Sequence, residues 1–349
     1  MLKLLIIVPH FNNPEKLFRC ISSIKDNIIN SSQKFNFTII IIDDCSDDKS
    51  MIALEKIIYF SGVELIKLPK NGGVSNARNI GLNYGINNEF DYVSFVDCDD
   101  HLTCKVYLNE FENHDLTIFQ TVETIDNYVN YFEYTDYILK INHNLHTCLK
   151  KLLVAYSETP NKVPALTTCW GKIYNLKIIE KKKIFFNIKM HTFEDVDFLL
   201  RYIYYINKIN FIEKFFYAHT NSKFQQSASF GYGRSINEMF SFLLAARSLQ
   251  KLFIKYNWLS YFNKHHFLAC YYSIALIRIS NNRNSLSDKI EFYYFIKRRI
   301  KKKYMKNCFH NYNPVLAGGR QLIKILIKLN QPLILSVILM SIAKKRYHA

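Results

Sequence analysis

The sequence predicts an α/β protein: a Rossmann-like, mostly parallel sheet followed by a mainly α-helical C-terminal region. Three observations predict it. Short apolar runs alternate with segments of helical spacing through residues 2–216. Run after run ends in polar or acidic residues, as strands do where a ligand sits at their carboxyl ends. Beyond Ala218 the texture changes to basic residues set between aromatic and aliphatic ones. The expected organisation is a sheet domain over 1–220 and a basic, mainly helical region over 221–349.

Leu2–Val8 reads as the first buried strand. Pro9-His10-Phe11-Asn12-Asn13-Pro14 reads as a turn, with Asn13 placed to cap the next helix and Pro14 at its first position. Residues 15–30 set Leu17, Phe18, Ile21, Ile24 and Ile28 at helical spacing. Phe37–Ile42 is a second strand, 51–60 a helix and Val63–Leu68 a third strand. Lys70–Asn79 is a glycine-containing loop entering a helix that runs towards Tyr84. A strand from Tyr92 and another over Asp115–Phe119 follow, while 123–146 shows no assignable pattern. Thr168–Tyr174 leads into a short helix, His191–Phe198 opens a helix running to about Ile206, and Ile209–Phe216 closes the sheet. Residues 221–233, rich in Ser, Gln, Gly and Phe, read as a mobile loop, with helices from Arg234.

The chemistry gathers in Tyr92-Val93-Ser94-Phe95-Val96-Asp97-Cys98-Asp99-Asp100. A packed strand cannot continue through three aspartates, because a carboxylate is almost never buried without a partner. Held close together, such groups resist joint ionisation unless a cation joins them. A hard divalent ion with oxygen ligands, Mg²⁺ or Mn²⁺, suits the cluster, and it completes its shell with substrate phosphates and water.

Charge divides the chain. Residues 1–214 hold 24 Lys and Arg against 26 Asp and Glu; residues 215–349 hold 22 against 3. The whole net charge of +17 therefore resides in the C-terminal part, which points to an anionic partner. Leu333–Ala343 is an apolar run well short of the ~20 residues that a spanning helix needs. The eight cysteines form no C-x-x-C pair, and the opening apolar run is too short for a secretory signal core. Reduced thiols in the cytoplasm are the expectation. No G-x-G-x-x-G or Walker-type loop occurs, which argues against a dinucleotide site or a P-loop NTPase.

Four features stand in one order: a strand ending in Asp43-Asp44; Gly72-Gly73-Val74-Ser75-Asn76-Ala77-Arg78-Asn79; Phe95-Val96-Asp97-Cys98-Asp99-Asp100; and Trp170-Gly171-Lys172-Ile173-Tyr174 leading to Glu194-Asp195. Together, over roughly residues 2–220, they resemble the inverting family 2 glycosyltransferases of the GT-A fold that build bacterial surface polysaccharides. The resemblance implies a nucleotide-sugar donor, expected to be a UDP-sugar, and a saccharide or lipid-linked acceptor. It places Pro9, Asp43, Asp44, Asn76, Arg78 and Asp97 against the nucleotide. It implies Asp99 as metal ligand, with Asp97 and His219 beside it. Asp195 is the implied general base, with Glu194 as its neighbour. Inversion needs such a base, since a carboxylate must take the acceptor's proton as the hydroxyl attacks the anomeric carbon. Trp170 is placed to stack on an acceptor sugar or to fill the core. His10 departs from the hydroxyl or aromatic residue more usual at its position.

The basic C-terminal helices then suit attachment to the anionic inner face of the cell membrane, with no role for nucleic acid. Two other readings compete. A nucleic-acid-binding protein would use the same basic helices but leaves the acidic strand ends unexplained. A nucleotidyltransferase would need a glycine-rich triphosphate loop near the first strand, and none is present.

Overall fold

The computed structural model describes residues 1–28, 35–61, 63–125, 128–132, 168–190, 192–221, 285–310 and 319–347, with scattered residues between 244 and 283. His191, residues 133–146 of the unassigned 123–146 stretch and the expected loop after Asn221 lie outside the described residues. The chain divides into two compact units: Met1–Leu149 with Ala165–Lys189 and Glu194–Gln225, and Lys150–Pro164 with Met190–Phe193 and Gln226–Ala349.

In the first unit one sheet is built from β1 (Leu2–His10), β2 (Phe35–Asp43), β3 (Glu64–Lys67), β4 (Tyr92–Phe95), β5 (His101–Leu102), β6 (Leu116–Ile125), β7 (Tyr128–Phe132), β8 (Lys172–Asn175) and β9 (Ile209–Asn221). Its order is β3-β2-β1-β4-β8-β6-β9-β5, with β7 pairing β6. The first four strands are mutually parallel. Leu4–His10 is buried throughout, as a central strand covered on both faces must be, and this explains its unbroken apolar run. Pro9 and His10 continue β1 rather than forming the expected turn, with Pro9 opposite Ile42 and His10 opposite Asp43. A proline fits there because pairing with β4 stops at Ile7, opposite Phe95, so that side needs no donor from it.

The second half of the sheet is mixed. β8 inserts antiparallel between β4 and β6, and β6 pairs parallel with β9. Lys172–Asn175, expected only to precede a helix, is itself a strand; four residues are too few to display a period. β6 and β9 both run past their expected ends at Phe119 and Phe216. Their outer halves hold Thr, Glu, His and Asn, so cross-strand pairing and not apolar patterning sets their length.

Helices α1 (Pro14–Asn27), α2 (Asp48–Ser61), α3 (Val74–Asn87), α4 (Leu176–Lys182) and α5 (Glu194–Ile203) connect the strands. α1 buries Leu17, Cys20, Ile21 and Ile24, while Phe18, expected on that apolar face, stands exposed. α3 lies close on β1: a Cβ added at Gly81 would meet Ile7 Cγ2 at 2.6 Å, and one at Gly85 would meet Leu5 Cδ2 at 2.9 Å. This contact fixes α3, and Arg78 with it, against the sheet. Beneath the carboxyl ends, the Phe95 ring meets Tyr174, Phe186 and Phe198 edge-on at 5.7, 5.3 and 5.7 Å, and Phe186 stacks on Phe198 at 4.1 Å. Such rings contribute ~1.5–3 kcal/mol each by burial and hold the floor of the strand ends rigid.

The second unit contains α6 (Leu286–Ile300), α7 (Lys303–His310), α8 (Gly319–Lys328) and α9 (Pro332–Tyr347). Ser285 and Asp288 form a reciprocal cap at the start of α6. Ser280 Oγ donates to the Leu339 carbonyl at 2.9 Å, tying α9 to the earlier part of the unit. Among the described residues no helix is long and apolar enough to cross a membrane.

Candidate active site

The carboxyl ends of β1, β2 and β4 collect the acids. Asp43 is buried and fully engaged: His10 Nδ1 donates to its Oδ1 at 2.8 Å, Ser46 N–H to Oδ2 at 3.0 Å and Ser46 Oγ to Oδ1 at 2.5 Å. The Asn13 N–H donates to His10 Nε2 at 3.2 Å, so one ring nitrogen gives and the other accepts, roles that a single neutral tautomer fills. Asp44 accepts from the Gly72 and Gly73 N–H groups at 2.8 and 2.7 Å. It therefore anchors the glycine loop and does not cap the next helix; Asp47 does that, accepting from the Ser50 N–H at 2.8 Å. Gly73 needs its missing side chain, because its φ of 81° and ψ of 165° lie where only glycine is at ease. Asn76, in the first turn of α3, folds its amide over Gly72: a Cβ there would meet Asn76 Nδ2 at 2.5 Å.

The β4 end splits its three aspartates into different tasks. Asp100 is structural: fully buried, it accepts from Tyr217 Oη at 2.5 Å and the Thr220 N–H at 2.7 Å and pairs with His219 Nδ1 at 3.2 Å. Asp97 Oδ1 accepts from Arg78 Nη2 at 2.8 Å, and its N–H donates to Tyr217 Oη at 3.2 Å. Asp99 differs: among the described residues no donor reaches its carboxylate. Burial, then Asp100 and Asp97, push it up to about 6. Lys16 and His219 offset that rise only in part. Among the described residues no three His, Cys, Asp or Glu side chains form a ready cage. An ion there would rely on Asp99, on the open Oδ2 of Asp97 and on ligand oxygens, the mode usual for Mg²⁺. His219, with Nδ1 turned to Asp100, has only Nε2 left for an ion. Burial works against its charge, but Asp100, Asp99 and Asp97 outweigh it and raise His219 to about 9.

Arg78 joins the two halves of the site. It is almost wholly buried, its guanidinium lies 5.3 Å from the Phe186 ring centroid, and its Nη1 donates to Glu194 Oε1 at 3.2 Å. Asn79 beside it exchanges two hydrogen bonds with the Phe186 backbone, at 2.7 and 2.8 Å. Asp195 spends Oδ1 on the Val196 N–H at 2.8 Å, and no described donor reaches Oδ2. Burial and then Glu194 push the Asp195 carboxyl up to about 7, with Arg78 opposing. A carboxyl poised there can take a proton near neutrality. Asp197 belongs instead to the helix, held by Arg201 Nε and Nη2 at 2.9 and 2.7 Å.

The structure thus brings Asp97, Arg78 and Glu194 into direct contact. It links Asp44 to them through the chain, since Asp44 holds the loop from which α3 and Arg78 emerge. Pro9 stays buried in β1. Trp170 is buried, stacked on Tyr217 at 4.6 Å and His219 at 5.4 Å, so it walls the site from within. Sequence reasoning missed Arg19, whose Nη2 donates to the Asp99 carbonyl at 3.1 Å and Thr220 Oγ1 at 2.9 Å. It also missed Tyr217 and the buried Lys172, whose Nζ donates to the Thr168 and Trp170 carbonyls at 2.8 and 3.2 Å. Only Arg19 left a signal, one helical turn beyond Lys16 on a helix leaving the same strand ends.

Residues 5–165 match the family model described as Glycosyl transferase family 2. The teichoic acid poly(glycerol phosphate) polymerase of Staphylococcus epidermidis is 29% identical over 222 residues, 60% of this chain and 27% of that one. The poly(ribitol-phosphate) β-N-acetylglucosaminyltransferase TarP of Staphylococcus aureus is 26% identical over 296 residues, 84% of each chain. The chain therefore spans about a quarter of the first relative and most of the second. In fold it is similar to S. aureus TarS 1-349 solved in complex with UDP-GlcNAc, with a TM-score of 0.63 and 17% identity, covering 99% of this chain and 92% of that one. With the acidic strand ends and the Glu194–Asp195 pair in place on such a sheet, the chain is similar to the family 2 glycosyltransferases through residues 5–165 and to TarS in fold.

Proposed function

We propose that the chain is a metal-dependent, inverting enzyme that moves a sugar from a UDP-sugar to a saccharide or lipid-linked acceptor in surface polysaccharide synthesis. The observation that carries this reading is the shared guanidinium of Arg78, which sets Asp97 and the Glu194–Asp195 pair one side chain apart. In this reading residues 1–220 do the chemistry. Pro9, Asp43, Asp44 and Asn76 shape the nucleotide pocket, and Asp97 orients the ribose side of the donor. Mg²⁺ or Mn²⁺ held by Asp99 and Asp97 would offset the charge that develops on the departing diphosphate. Asp195 takes the acceptor's hydroxyl proton as that oxygen bonds to the anomeric carbon and the bond to the diphosphate breaks. Glu194, pinned by Arg78, keeps Asp195 in place and raises its basicity.

The names of the relatives support UDP-GlcNAc as donor and a polymer of glycerol phosphate or ribitol phosphate as acceptor. The test screens UDP-GlcNAc and other nucleotide sugars by the heat stabilisation each confers with Mn²⁺ present. A true donor at a hundred times its Kd adds ~2.7 kcal/mol. Release of UDP on adding the polymer completes it. Stabilisation by nucleoside triphosphates alone, with no UDP released from any UDP-sugar, would overturn the reading.

A further inference from the structure

The second unit ends in a helical hairpin whose outer face is unlike an ordinary solvated surface. On α8, Leu322 and Ile325 are exposed, and Leu329, the first residue past its end, follows at the same helical spacing with 63% exposure. After the turn at Asn330–Gln331, α9 exposes Leu333 by 63%, Ile334 by 48% and Val337 by 55%. The opposite faces are packed inside the unit through Ile323, Leu326 and Ile327 on α8 and Leu335, Leu339 and Ala343 on α9. The exposed apolar side chains are therefore presented on helices that their other faces already hold.

We infer that this α8–α9 hairpin is a docking surface for an anionic lipid bilayer. Its charge selects that occupant. Lys328 closes α8 and Lys344 follows on the exposed face of α9, two and three turns from Val337 and Leu333. No acidic residue occurs after Glu291, so nothing along this stretch can pair with a second cationic copy of itself. Aliphatic side chains flanked by Lys328 and Lys344 match the acyl boundary beneath phosphate headgroups, where the ammonium groups snorkel. A nucleic acid would meet a polar surface instead. The helices are 10 and 16 residues long, so they lie in the interface and do not span it. The inference is independent of the donor and the metal, and it goes beyond sugar transfer to where that transfer takes place.

The test is co-sedimentation of the full chain with vesicles of phosphatidylglycerol and phosphatidylcholine in equal parts, against vesicles of phosphatidylcholine alone. Binding is expected to the mixed vesicles, falling steeply as salt rises and the screening length shrinks to ~3 Å at 1 M. Lys328→Gln with Lys344→Gln is expected to lower the partition coefficient about thirtyfold, from the loss of two charges at the headgroups. Leu329→Ser with Leu333→Ser and Val337→Ser removes the fraction that stays bound at high salt. Both variants change exposed side chains and should melt with the parent. Equal binding to neutral vesicles would overturn the inference, as would variants that bind like the parent. A defined oligomer that the serine variant dissolves, with no vesicle binding by either, would assign the face to contacts between copies and overturn it too.

Discussion

Asp97 and Glu194 grip one guanidinium: Arg78 Nη2 lies 2.8 Å from Asp97 and Nη1 3.2 Å from Glu194. The two carboxylates come from the end of β4 and the start of α5, and the planar fork of arginine is what lets one buried side chain serve both. Lysine presents a point charge and can satisfy only one at a time. Arg78→Lys is therefore expected to lower turnover ~10²-fold and stability by about 1–3 kcal/mol. The stability cost stays below that of a fully buried pair because Asp97 is 28% exposed. Steady-state kinetics and urea unfolding measure the two.

Asp99→Asn should separate activity from stability. Transfer is expected to be lost, because the charge that would hold the ion is gone, and chelator should abolish parent activity until Mn²⁺ or Mg²⁺ returns. The folded carboxyl is raised from 3.8 to about 6. The folded state thus binds the extra proton between those values, and stability falls as pH rises through that window. In chelator at neutral pH the asparagine variant should be more stable by about 1–3 kcal/mol. Full parent activity in chelator would sink the metal assignment.

As the proposed base, Asp195 would act only when ionised, and burial and Glu194 push its carboxyl up to about 7. Turnover is expected to rise with pH through about 7 and then level. Asp195→Asn should cut turnover ~10²-fold or more and flatten that rise, with donor affinity almost unchanged. Collapse of donor binding with turnover preserved would make Asp195 a donor ligand instead.

Gly73→Ala tests the loop that Asp44 anchors. At φ 81° and ψ 165° a Cβ is strained, so stability should drop by about 1–3 kcal/mol. Donor affinity should weaken with it, as read by calorimetry, because the loop carries the start of α3. An unaltered Kd would free the loop from any part in donor binding.

Lys172→Met removes the donors to two carbonyls and should cost about 1–3 kcal/mol. Burial lowers the Lys172 amine from 10.5 to about 7, against the pull of Cys169 and Asp195. The unfolded chain holds the extra proton between those values, so Lys172 makes stability rise with pH across that window. The methionine variant should lose that rise, seen as a flatter pH profile of melting.

What was legible in the sequence was whatever lies local to a strand. The runs through Leu4–Val8 and Ile39–Ile42 announce central strands because both faces are covered. The Asp97–Asp99 end is legible because carboxylates cannot continue into a core. The antiparallel strand β8 was not, nor were the outer halves of β6 and β9, since pairing with distant partners and not composition defines them. Within the site, Glu194 lies 116 residues from Arg78, so their contact has no local trace. Asp100 reads like its neighbours in sequence, and only the placement of Tyr217 and Thr220 reveals it as a tie. Phe18 shows the converse: helical spacing suggested burial, and the packing of α1 left it outside.

The tie at Asp100 also sets an order of events. Its partners Tyr217, His219 and Thr220 are 117, 119 and 120 residues further along the chain. On a ribosome, the parallel core of β1, β2 and β4 can form long before β9 has been synthesised. Until β9 arrives, Asp100 has no donors, Asp97 lacks the hydroxyl of Tyr217, and the acids at the β4 end stand as an uncompensated charge cluster. The acidic strand end thus reaches its final arrangement only after β9 is made, by closure of one long-range strand pairing.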